Sequence, residues 1–350
     1  MLLFSCSLIR ERVERAVRRA TSSTTCAAHR QTKLAGILLV WLTALLLPCF
    51  AEPARADQHA MPPKTYYRTA LVNGHSIFYR EAGDSKNATI VLLHGFPSSS
   101  HTYRELIPLL SSRYHIIAPD YLGSGYSDRP DADAFNYTFD KLTDHVVGLL
   151  QVLKITKFTI YMQDFGAPVG FRIVTRHPDR IRSLIIQNAN AYLDGLTPPR
   201  QAFFRKARED RSPEHVAFLY SLVSREGIID RQYLRDIPAD RRDIISPDSW
   251  THDLAFLQSK KDQQIQVQLF QDYQTNIDAY PAWQATLRKH QFPALIAWGK
   301  RDPAFIAAGA EAYLRDLPKA ELHLLDAGHF AAEEKTAEIA QLILAFMARH

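Results

Sequence analysis

The chain has 350 residues, of which 46% are hydrophobic and 23% charged, a composition typical of globular proteins that excludes a fully disordered chain. Its formal net charge of +5 comes from residues 1–56, which carry eight Lys and Arg side chains and three acids. Residues 57–350 carry 34 basic and 34 acidic side chains and no basic, aromatic-rich patch, so charge gives no reason to expect a nucleic-acid partner. All three cysteines also lie within residues 1–56, which excludes disulfides, thiolate catalysis and cysteine-based metal sites from the rest of the chain.

The N-terminal segment has the pattern of an export signal. Arg30 and Lys33 precede an uncharged, mostly apolar run over residues 34–47, and an Ala-Arg-Ala cleavage pattern ends at Ala56. The run is shorter than the roughly 20 residues that a membrane-spanning helix needs. We therefore predict a signal peptide and N-terminal extension over residues 1–56, cleaved after Ala56, and a periplasmic or secreted protein with no stable membrane partner. A retained N-terminal anchor is the alternative.

The rest of the chain alternates between strand and helix patterns. Asn73-Gly74 separates two strand-like runs over 65–72 and 75–83, which predicts a hairpin. Further strand-like runs, separated by helical or turn patterns, lie at 88–96, 114–120, 157–164, 181–189, 292–302 and 320–329. This alternation predicts an α/β fold, with a doubly wound, mostly parallel sheet of about eight strands and helices on both faces.

One block breaks the alternation. From Ala191 to Arg288 the sequence is polar, helical and aromatic, and it has no strand pattern. A helical block between two strands of one sheet predicts an inserted cap. The predicted organisation is a first part of the core over 57–190, a helical cap over 191–288 and a second part of the core over 289–350.

Polar side chains stand where the predicted strands end. In open α/β sheets, functional residues lie just beyond the carboxyl ends of the strands. This chain places there His94, Gly95, Phe96, Asp120, Asp164, Asn188, Asn190, Asp302 and His329. Asp164, Asp302 and His329 follow the chain order nucleophile, acid, base of an α/β-hydrolase triad, with aspartate in place of serine.

Four motifs in this order resemble the epoxide hydrolase and haloalkane dehalogenase branch of the α/β-hydrolase fold family. They are HGFP at 94–97, MQDFG at 162–166, WGKRD at 298–302 and DAGHF at 326–330. The resemblance covers residues 65–350. It implies that Asp164 is an ionised nucleophile, which attacks an sp³ carbon and forms an ester to the enzyme. It also implies that His329, oriented by Asp302, activates the water that hydrolyses this ester.

The same resemblance assigns backbone N–H groups of Phe96 and Phe165 to the oxyanion of the ester. Each polar candidate also has a structural interpretation. Asp164 is a residue type common in turns, Asp302 is suited to cap a helix, and His94 is better suited to holding its loop than to carrying a proton. Asp326 is a rival acid to Asp302, but it lies only three residues before His329.

The two branches of the family differ in how the leaving group is stabilised. An epoxide leaves an alkoxide, which needs a proton, usually from a pair of tyrosines in the cap. A halide needs N–H donors, and haloalkane dehalogenases use a Trp directly after the nucleophile together with a second Trp or an Asn in the HGxP loop. Phe165 and Phe96 occupy the two donor positions, so the resemblance favours an epoxide hydrolase that forms a diol, with haloalkane dehalogenase as the alternative.

The candidates for proton donation or substrate binding are Tyr273, Tyr220 and His94, and His215 is an alternative to Tyr220. Three residues favour a haloalkane dehalogenase instead. Gln163 is more typical of dehalogenases, and Trp250 and Trp283 are candidate halide donors in the cap.

We therefore expect a hydrolase with no metal and no organic cofactor. Its expected reactants are water and a small, apolar epoxide or halogenated compound, because the cap is aromatic and apolar. A binding protein, or an enzyme with other chemistry on the same fold, stays open, since a fold does not determine a function.

Overall fold

A computed structural model of the protein describes residues 63–350. The predicted signal peptide and its cleavage site lie outside the described residues. Within residues 63–350, no helix is long and apolar enough to cross a membrane.

One eight-stranded sheet forms the centre of the described part of the chain. Its strands are β1 (Tyr66–Val72), β2 (His75–Ala82), β3 (Thr89–Leu93), β4 (His115–Pro119), β5 (Phe158–Gln163), β6 (Ile181–Gln187), β7 (Ala294–Gly299) and β8 (Glu321–Leu325). They lie in the order β1-β2-β4-β3-β5-β6-β7-β8. The pairs β1/β2 and β2/β4 are antiparallel and all others are parallel. The predicted fold class is thereby confirmed.

The predicted hairpin joins β1 to β2. Val72 pairs with His75 across a two-residue turn. Both turn residues have positive φ, 50° at Asn73 and 83° at Gly74, and Asn and Gly are the residues that adopt this conformation at least cost.

Twelve α-helices lie within the described residues. They are α1 (Leu106–Leu110), α2 (Phe139–Val152), α3 (Gly166–Arg176), α4 (Pro198–Glu209), α5 (Pro213–Leu222), α6 (Arg225–Ile228), α7 (Pro247–Ala255), α8 (Lys260–Asp272), α9 (Gln274–His290), α10 (Ala308–Ala312), α11 (Ala331–Glu334) and α12 (Thr336–Met347). Several begin with a capping hydroxyl; Thr138 accepts the Lys141 N–H at the start of α2, and Thr197 accepts the Arg200 N–H at the start of α4.

The segment between β6 and β7 is helical and contains no strand. It comprises α4 to α9 with short connecting turns. This agrees with the helical character predicted from its sequence, while the division of the chain at residues 190 and 288 stays a prediction.

Apolar side chains fill both faces of the sheet. One cluster includes Phe158 and Ile160 of β5 and continues through α2 and α3 into the helical segment, and the other packs α1 and α12 on the opposite face. Strands β3, β4, β5 and β7 are buried along their whole length. Strands β3, β5, β6 and β7 are parallel, so their carboxyl ends lie at the same edge of the sheet. The loops described next begin at this edge.

Candidate active site

Asp164 occupies a sharp turn between β5 and α3. Its φ is +49°, a conformation that costs a non-glycine residue about 1–3 kcal/mol and persists only where the surroundings enforce it. The helix starts two residues later, at Gly166. Gly95, in the loop after β3, has no side chain, and a Cβ added there would collide with the Asp164 side chain. The turn and the neighbouring loop therefore fit together only with a glycine at 95.

Asp302 and His329 lie beside this turn. His329 Nδ1 donates a hydrogen bond of 2.6 Å to Asp302 Oδ2. The other ring nitrogen, Nε2, lies 3.5 Å from Asp164 Oδ2. All three residues are nearly inaccessible to solvent, with exposures of 7% for Asp164, 2% for Asp302 and 2% for His329. The three residues that the sequence assigned to a triad are thus brought together in the geometry of an acid, a base and a nucleophile.

The two carboxylates determine the charge of His329. Burial alone lowers the pKa of a histidine, but Asp302 and Asp164 outweigh it and raise the pKa of His329 to about 10. Burial raises the pKa of Asp302, but His329 and Arg235 outweigh it and hold this pKa below its ordinary value. At neutral pH, His329 is an imidazolium between two carboxylates.

Asp302 is held by four hydrogen-bond donors. Oδ1 accepts the N–H groups of Ala304 at 2.7 Å and Phe305 at 3.1 Å, and Oδ2 accepts Asn188 Nδ2 at 3.0 Å as well as His329. Oδ1 of Asp302 thus caps the turn that follows it, and Oδ2 of the same carboxylate holds His329. The two interpretations of Asp302 made from the sequence are compatible. Asn188, whose position at a strand end was visible in the sequence but whose role was not, is an orienting partner of the acid.

A backbone donor faces one oxygen of Asp164. The N–H of Phe96 donates to Asp164 Oδ1 at 2.7 Å. Phe165 stands at the N-cap of α3, directly after Asp164, so its peptide lies at the positive end of that helix. Both residues predicted to supply N–H groups lie at the nucleophile, and the hydrogen bond from Phe96 is formed.

Aromatic rings line the space on the cap side of Asp164. The rings of Phe96 and Phe165 lie 5.9 Å apart, and Phe270 of α8 packs against both at 4.9 and 5.8 Å. Tyr273 packs against Phe165 at 5.8 Å and stacks on Phe204 of α4 at 3.8 Å. Cap and core therefore meet at the nucleophile through apolar rings.

Tyr273 is the cap tyrosine that reaches this site. Burial raises the pKa of Tyr273 well above its ordinary value, and the Tyr280 hydroxyl and the Asp164 carboxylate add to the rise. Tyr280 is also buried, and this burial raises the pKa of its hydroxyl as well. Both phenols are therefore neutral, and Tyr280 is a second candidate for the proton donor.

Tyr220 lies elsewhere, contrary to its prediction as a site residue. Its ring is half-buried, Lys260 lies over it at 4.4 Å, and the charge that acts on it most is that of Asp133. Its contacts are thus with the outer part of the cap. His215, the alternative to Tyr220, is buried near Phe218, with ring centroids 5.9 Å apart, and has no contact with the triad.

His94 is a loop residue, which corrects its prediction as a substrate-binding or proton-donating group. Its Nδ1 donates to the Gly95 carbonyl at 3.0 Å, its Nε2 accepts the Tyr121 N–H at 3.2 Å, and its ring stacks on Tyr121 at 4.1 Å. Both ring nitrogens are occupied, so His94 holds the loop in the way its structural interpretation required.

The rival acid Asp326 is also excluded from the triad. Its carboxylate is 52% exposed and pairs with Arg301 at 2.6 Å and Arg241 at 3.2 Å. Arg301 links the loop of His329 to the cap, because its Nε donates to the Asp236 carbonyl at 3.3 Å.

The two indole groups considered as halide donors pack against other aromatic rings. Trp283 stacks on Phe171 at 5.3 Å, and Trp250 packs against Tyr233 at 6.0 Å. Gln163 does reach the site, since its Nε2 lies 3.3 Å from His329 Nε2 and its Oε1 is buried without a partner among the described residues.

Three charged cap residues were missed by sequence reasoning. Asp236 accepts the backbone N–H of His329 at 2.7 Å. Arg235 Nη2 lies 3.5 Å from Asp302 Oδ1. Burial and Arg235 lower the pKa of Arg200, in the first turn of helix α4, whereas Asp302 raises it. No motif surrounds them in the sequence, because the cap folds back onto the core over long chain distances. Within residues 63–350, no group of three or more His, Cys, Asp and Glu side chains is arranged to hold a metal ion.

Comparison with protein families matches residues 88–336 to the family described as alpha/beta hydrolase fold. The chain is 39% identical over 289 residues to an uncharacterized hydrolase of Saccharomyces cerevisiae, covering 81% of this chain and 98% of that protein.

Two further comparisons name specific activities. The chain is 28% identical over 279 residues to a haloalkane dehalogenase of Mycolicibacterium paratuberculosis, covering 77% of this chain and 86% of that protein. A solved structure of an epoxide hydrolase, CorEH, has a TM-score of 0.67 and 21% identity, covering 82% of this chain and 99% of that chain. At this identity the structural match shows the shared fold alone.

Proposed function

The chain belongs to the α/β-hydrolase fold family and is a hydrolase of that fold, and from this premise we propose that it opens epoxides to diols through an ester on Asp164. The observation that carries the choice of leaving group lies at the nucleophile. The side chains of Phe96 and Phe165 carry no N–H donor for a halide, while the buried phenol of Tyr273 packs against Phe165.

The first step forms the ester. Because Asp164 Oδ1 is engaged by the Phe96 N–H, Oδ2 is the oxygen that attacks the less hindered ring carbon. The bond between Oδ2 and carbon forms as the ring C–O bond breaks, and the electron pair passes to the ring oxygen. This oxygen takes the hydroxyl proton of Tyr273, which is neutral because burial raises its pKa.

The second step hydrolyses the ester. Esterification removes the charge of Asp164, one of the two carboxylates that raise the pKa of His329 to about 10. His329 then loses its proton more readily, and this proton restores the Tyr273 hydroxyl through solvent. The neutral imidazole accepts a proton from water, while Asp302 holds the ring in place through Nδ1. The resulting hydroxide attacks the carboxyl carbon of Asp164, and the Phe96 N–H stabilises the oxyanion. As this intermediate collapses, the C–O bond to the substrate breaks, and the leaving oxygen takes the proton of the new carboxyl group. This releases the diol and restores the Asp164 carboxylate, with His329 again an imidazolium.

Haloalkane dehalogenation is the second candidate, with two observations in its favour. A relative carries that name, and Gln163 lies 3.3 Å from His329 at a position where dehalogenase-like sequences have this residue. The ester chemistry at Asp164 would be the same, and only the group that leaves would differ.

The experiment combines product analysis with trapping of the ester. Residues 57–350 are incubated with a small epoxide and with a haloalkane of the same carbon skeleton, and diol and halide are measured. The His329→Gln variant should accumulate an adduct on Asp164, visible as a mass increase equal to the whole epoxide. The Asp164→Asn variant should form no adduct over times too short for deamidation, and Asp326→Asn, an exposed control, should behave as wild type. Halide release without diol formation would replace this proposal with the second candidate.

A further inference from the structure

An acid of the cap is bonded to the main chain of the catalytic histidine. Asp236 lies in a turn between β6 and β7, and its Oδ2 accepts the backbone N–H of His329 at 2.7 Å, from 93 positions away in the chain. The side chain of Asp236 is only 2% exposed. Hydrogen bonds to a carboxylate are roughly twice as strong as those between neutral groups. Asp236 therefore fixes the backbone at the residue whose side chain is the base.

The loop that carries His329 is shaped around this carboxylate. A Cβ added at Gly328 would lie 2.6 Å from both the carboxyl carbon and Oδ2 of Asp236, which is closer than atoms without a bond approach each other. Two groups of the core hold the same loop. Glu334 Oε1 accepts the Gly328 N–H at 2.6 Å, and Gln187 Nε2 donates to the His329 carbonyl at 3.0 Å. The core and the cap thus each contribute to the position of the base.

Arg235 connects Asp236 to the acid of the triad. Its Nη2 lies 3.7 Å from Asp236 Oδ2 and 3.5 Å from Asp302 Oδ1, distances typical of ion pairs and too long for good hydrogen bonds. Burial raises the pKa of Asp236, and the charge of Arg235 opposes this rise. The same cation, after His329, helps to hold the pKa of Asp302 low. Arg235 is therefore the shared cation of two buried carboxylates.

Taking the ester mechanism of the proposed function as the basis, we propose that Asp236 and Arg235 are positioning residues for the base. Asp236 holds the main chain of His329 so that its Nε2 faces the ester on Asp164, and Arg235 ties Asp236 to Asp302. Neither residue contacts the reacting atoms. Because both come from the cap, the base reaches its working position only where the cap is packed on the core. Hydrolysis of the ester is the step that needs His329 as a base, so these roles apply to either leaving group.

Rapid-quench kinetics with mass detection of the ester distinguish this role from general support of the cap. Asp236→Ala removes the acceptor of the His329 N–H, whereas Asp236→Asn keeps an amide oxygen for it. Asp272→Ala is the matched control. Asp272 also lies in the cap, and its Oδ2 accepts a backbone N–H of the core, that of Phe139, at 2.8 Å.

Asp236→Ala should hydrolyse the ester about 10- to 100-fold more slowly, the range expected for loss of a hydrogen bond to a charged group, while ester formation stays close to the wild-type rate. Asp236→Asn and Asp272→Ala should hydrolyse the ester nearly as fast as the wild-type protein. Equal losses in formation and hydrolysis, or hydrolysis that is as slow in Asp272→Ala, would mean that Asp236 only supports the cap.

The charges of the cluster are tested by a pair of variants that keep the side-chain sizes similar. Arg235→Gln should slow hydrolysis of the ester, because Asp236 and Asp302 then lack their shared cation. Adding Asp236→Asn removes one of these two charges and should restore most of the lost rate. A double variant slower than Arg235→Gln would overturn the role of Arg235. This pair also decides the outcome if Asp236→Ala does not fold.

Proton NMR tests the position of the base without substrate, and so separates this inference from the proposed function. The proton between His329 Nδ1 and Asp302 should give a low-field resonance, assigned by its absence from His329→Gln. It should persist in Asp236→Asn and Asp272→Ala, and should broaden or disappear in Asp236→Ala. An unchanged resonance in Asp236→Ala would overturn the positioning role whatever the reaction. If the resonance is lost in Asp236→Ala but the wild-type protein forms no ester, the positioning role stands and the proposed reaction is wrong.

Discussion

Replacing Asp302 by Asn tests how the acid of the triad acts. The change keeps the size of the side chain and leaves an oxygen for the Ala304 and Phe305 N–H groups, which Asp302 Oδ1 accepts at 2.7 and 3.1 Å. What it removes is the charge 2.6 Å from His329 Nδ1, and the new amide would present an N–H to an N–H. The local fold should therefore persist, while the imidazolium loses its charged partner.

The magnitude follows from that one hydrogen bond. A hydrogen bond to a charged group contributes about 1.5–3 kcal/mol, and each 1.36 kcal/mol is a tenfold change in proton affinity. The pKa of His329, about 10 in the intact site, should fall accordingly. The His329 ring should also rotate away from the orientation in which it accepts a proton from water. Hydrolysis of the ester should therefore slow by roughly 10- to 100-fold or more.

Rapid-quench kinetics with mass detection of the ester measure this directly. Asp302→Asn should form the ester at a rate close to wild type and then accumulate it. Asp326→Asn, the same substitution at the exposed acid three residues before His329, should hydrolyse the ester normally. An unchanged rate of hydrolysis in Asp302→Asn, or an equal defect in Asp326→Asn, would refute the assignment of Asp302.

Three further predictions concern the nucleophile, the proton donor and the base. Tyr273→Phe should slow ester formation from an epoxide by about 100-fold or more, as loss of a general acid does, whereas Tyr192→Phe, whose hydroxyl donates to Asp316 at 2.7 Å, should not; equal stopped-flow rates for both variants would contradict this. Gly95→Ala should reduce kcat at least about 100-fold without unfolding the protein, because the new Cβ displaces the Asp164 carboxylate; a kcat within a few-fold of wild type, with unchanged circular dichroism, would show that the loop yields. The pKa of His329 is raised from 6.5 to about 10, so its stabilisation is complete below pH 6.5 and is lost as the pH rises through 10. The difference in Tm between the wild-type protein and His329→Gln should therefore shrink from pH 6 to pH 11. A difference that grows with pH would contradict the assignment of a raised pKa to His329.

The core of the fold was predictable because its signals are local. Apolar runs such as residues 88–96 encode buried parallel strands, and Asn73-Gly74 encodes a hairpin, without reference to any distant residue. The triad was predictable for a related reason, since the carboxyl ends of β5 and β7 and the loop after β8 are brought to one edge by the sheet itself. A residue that follows such a strand has its position fixed by the backbone.

The cap residues were less predictable because nothing local fixes where they point. Tyr220 and Tyr273 both lie in helical sequence, but only Tyr273 packs on Phe165. Arg235 and Asp236 reach Asp302 and His329 across more than sixty residues of chain, a pairing that no spacing rule encodes. The aromatic content of the cap predicts an apolar substrate, and composition does not report the position of charged side chains such as Arg235 and Asp236.

The packing behind the turn at Asp164 could not be predicted from the sequence either. Met162, two residues before the nucleophile, needs space beside α3, and this space exists because Gly170 has no side chain; a Cβ there would collide with the Met162 sulfur. The two residues lie eight positions apart on different elements, so the compensation becomes visible only when β5 and α3 are seen packed together.

A single turnover in oxygen-18 water tests the covalent ester most directly. With enzyme in excess over epoxide, water attacks the carboxyl carbon of Asp164, so the label should enter the Asp164 side chain and the diol should retain unlabelled oxygen. Mass spectrometry of the peptide that contains Asp164 measures this incorporation. Label in the diol, with none in Asp164, would mean that water attacks the substrate itself and would contradict the assignment of Asp164 as the nucleophile.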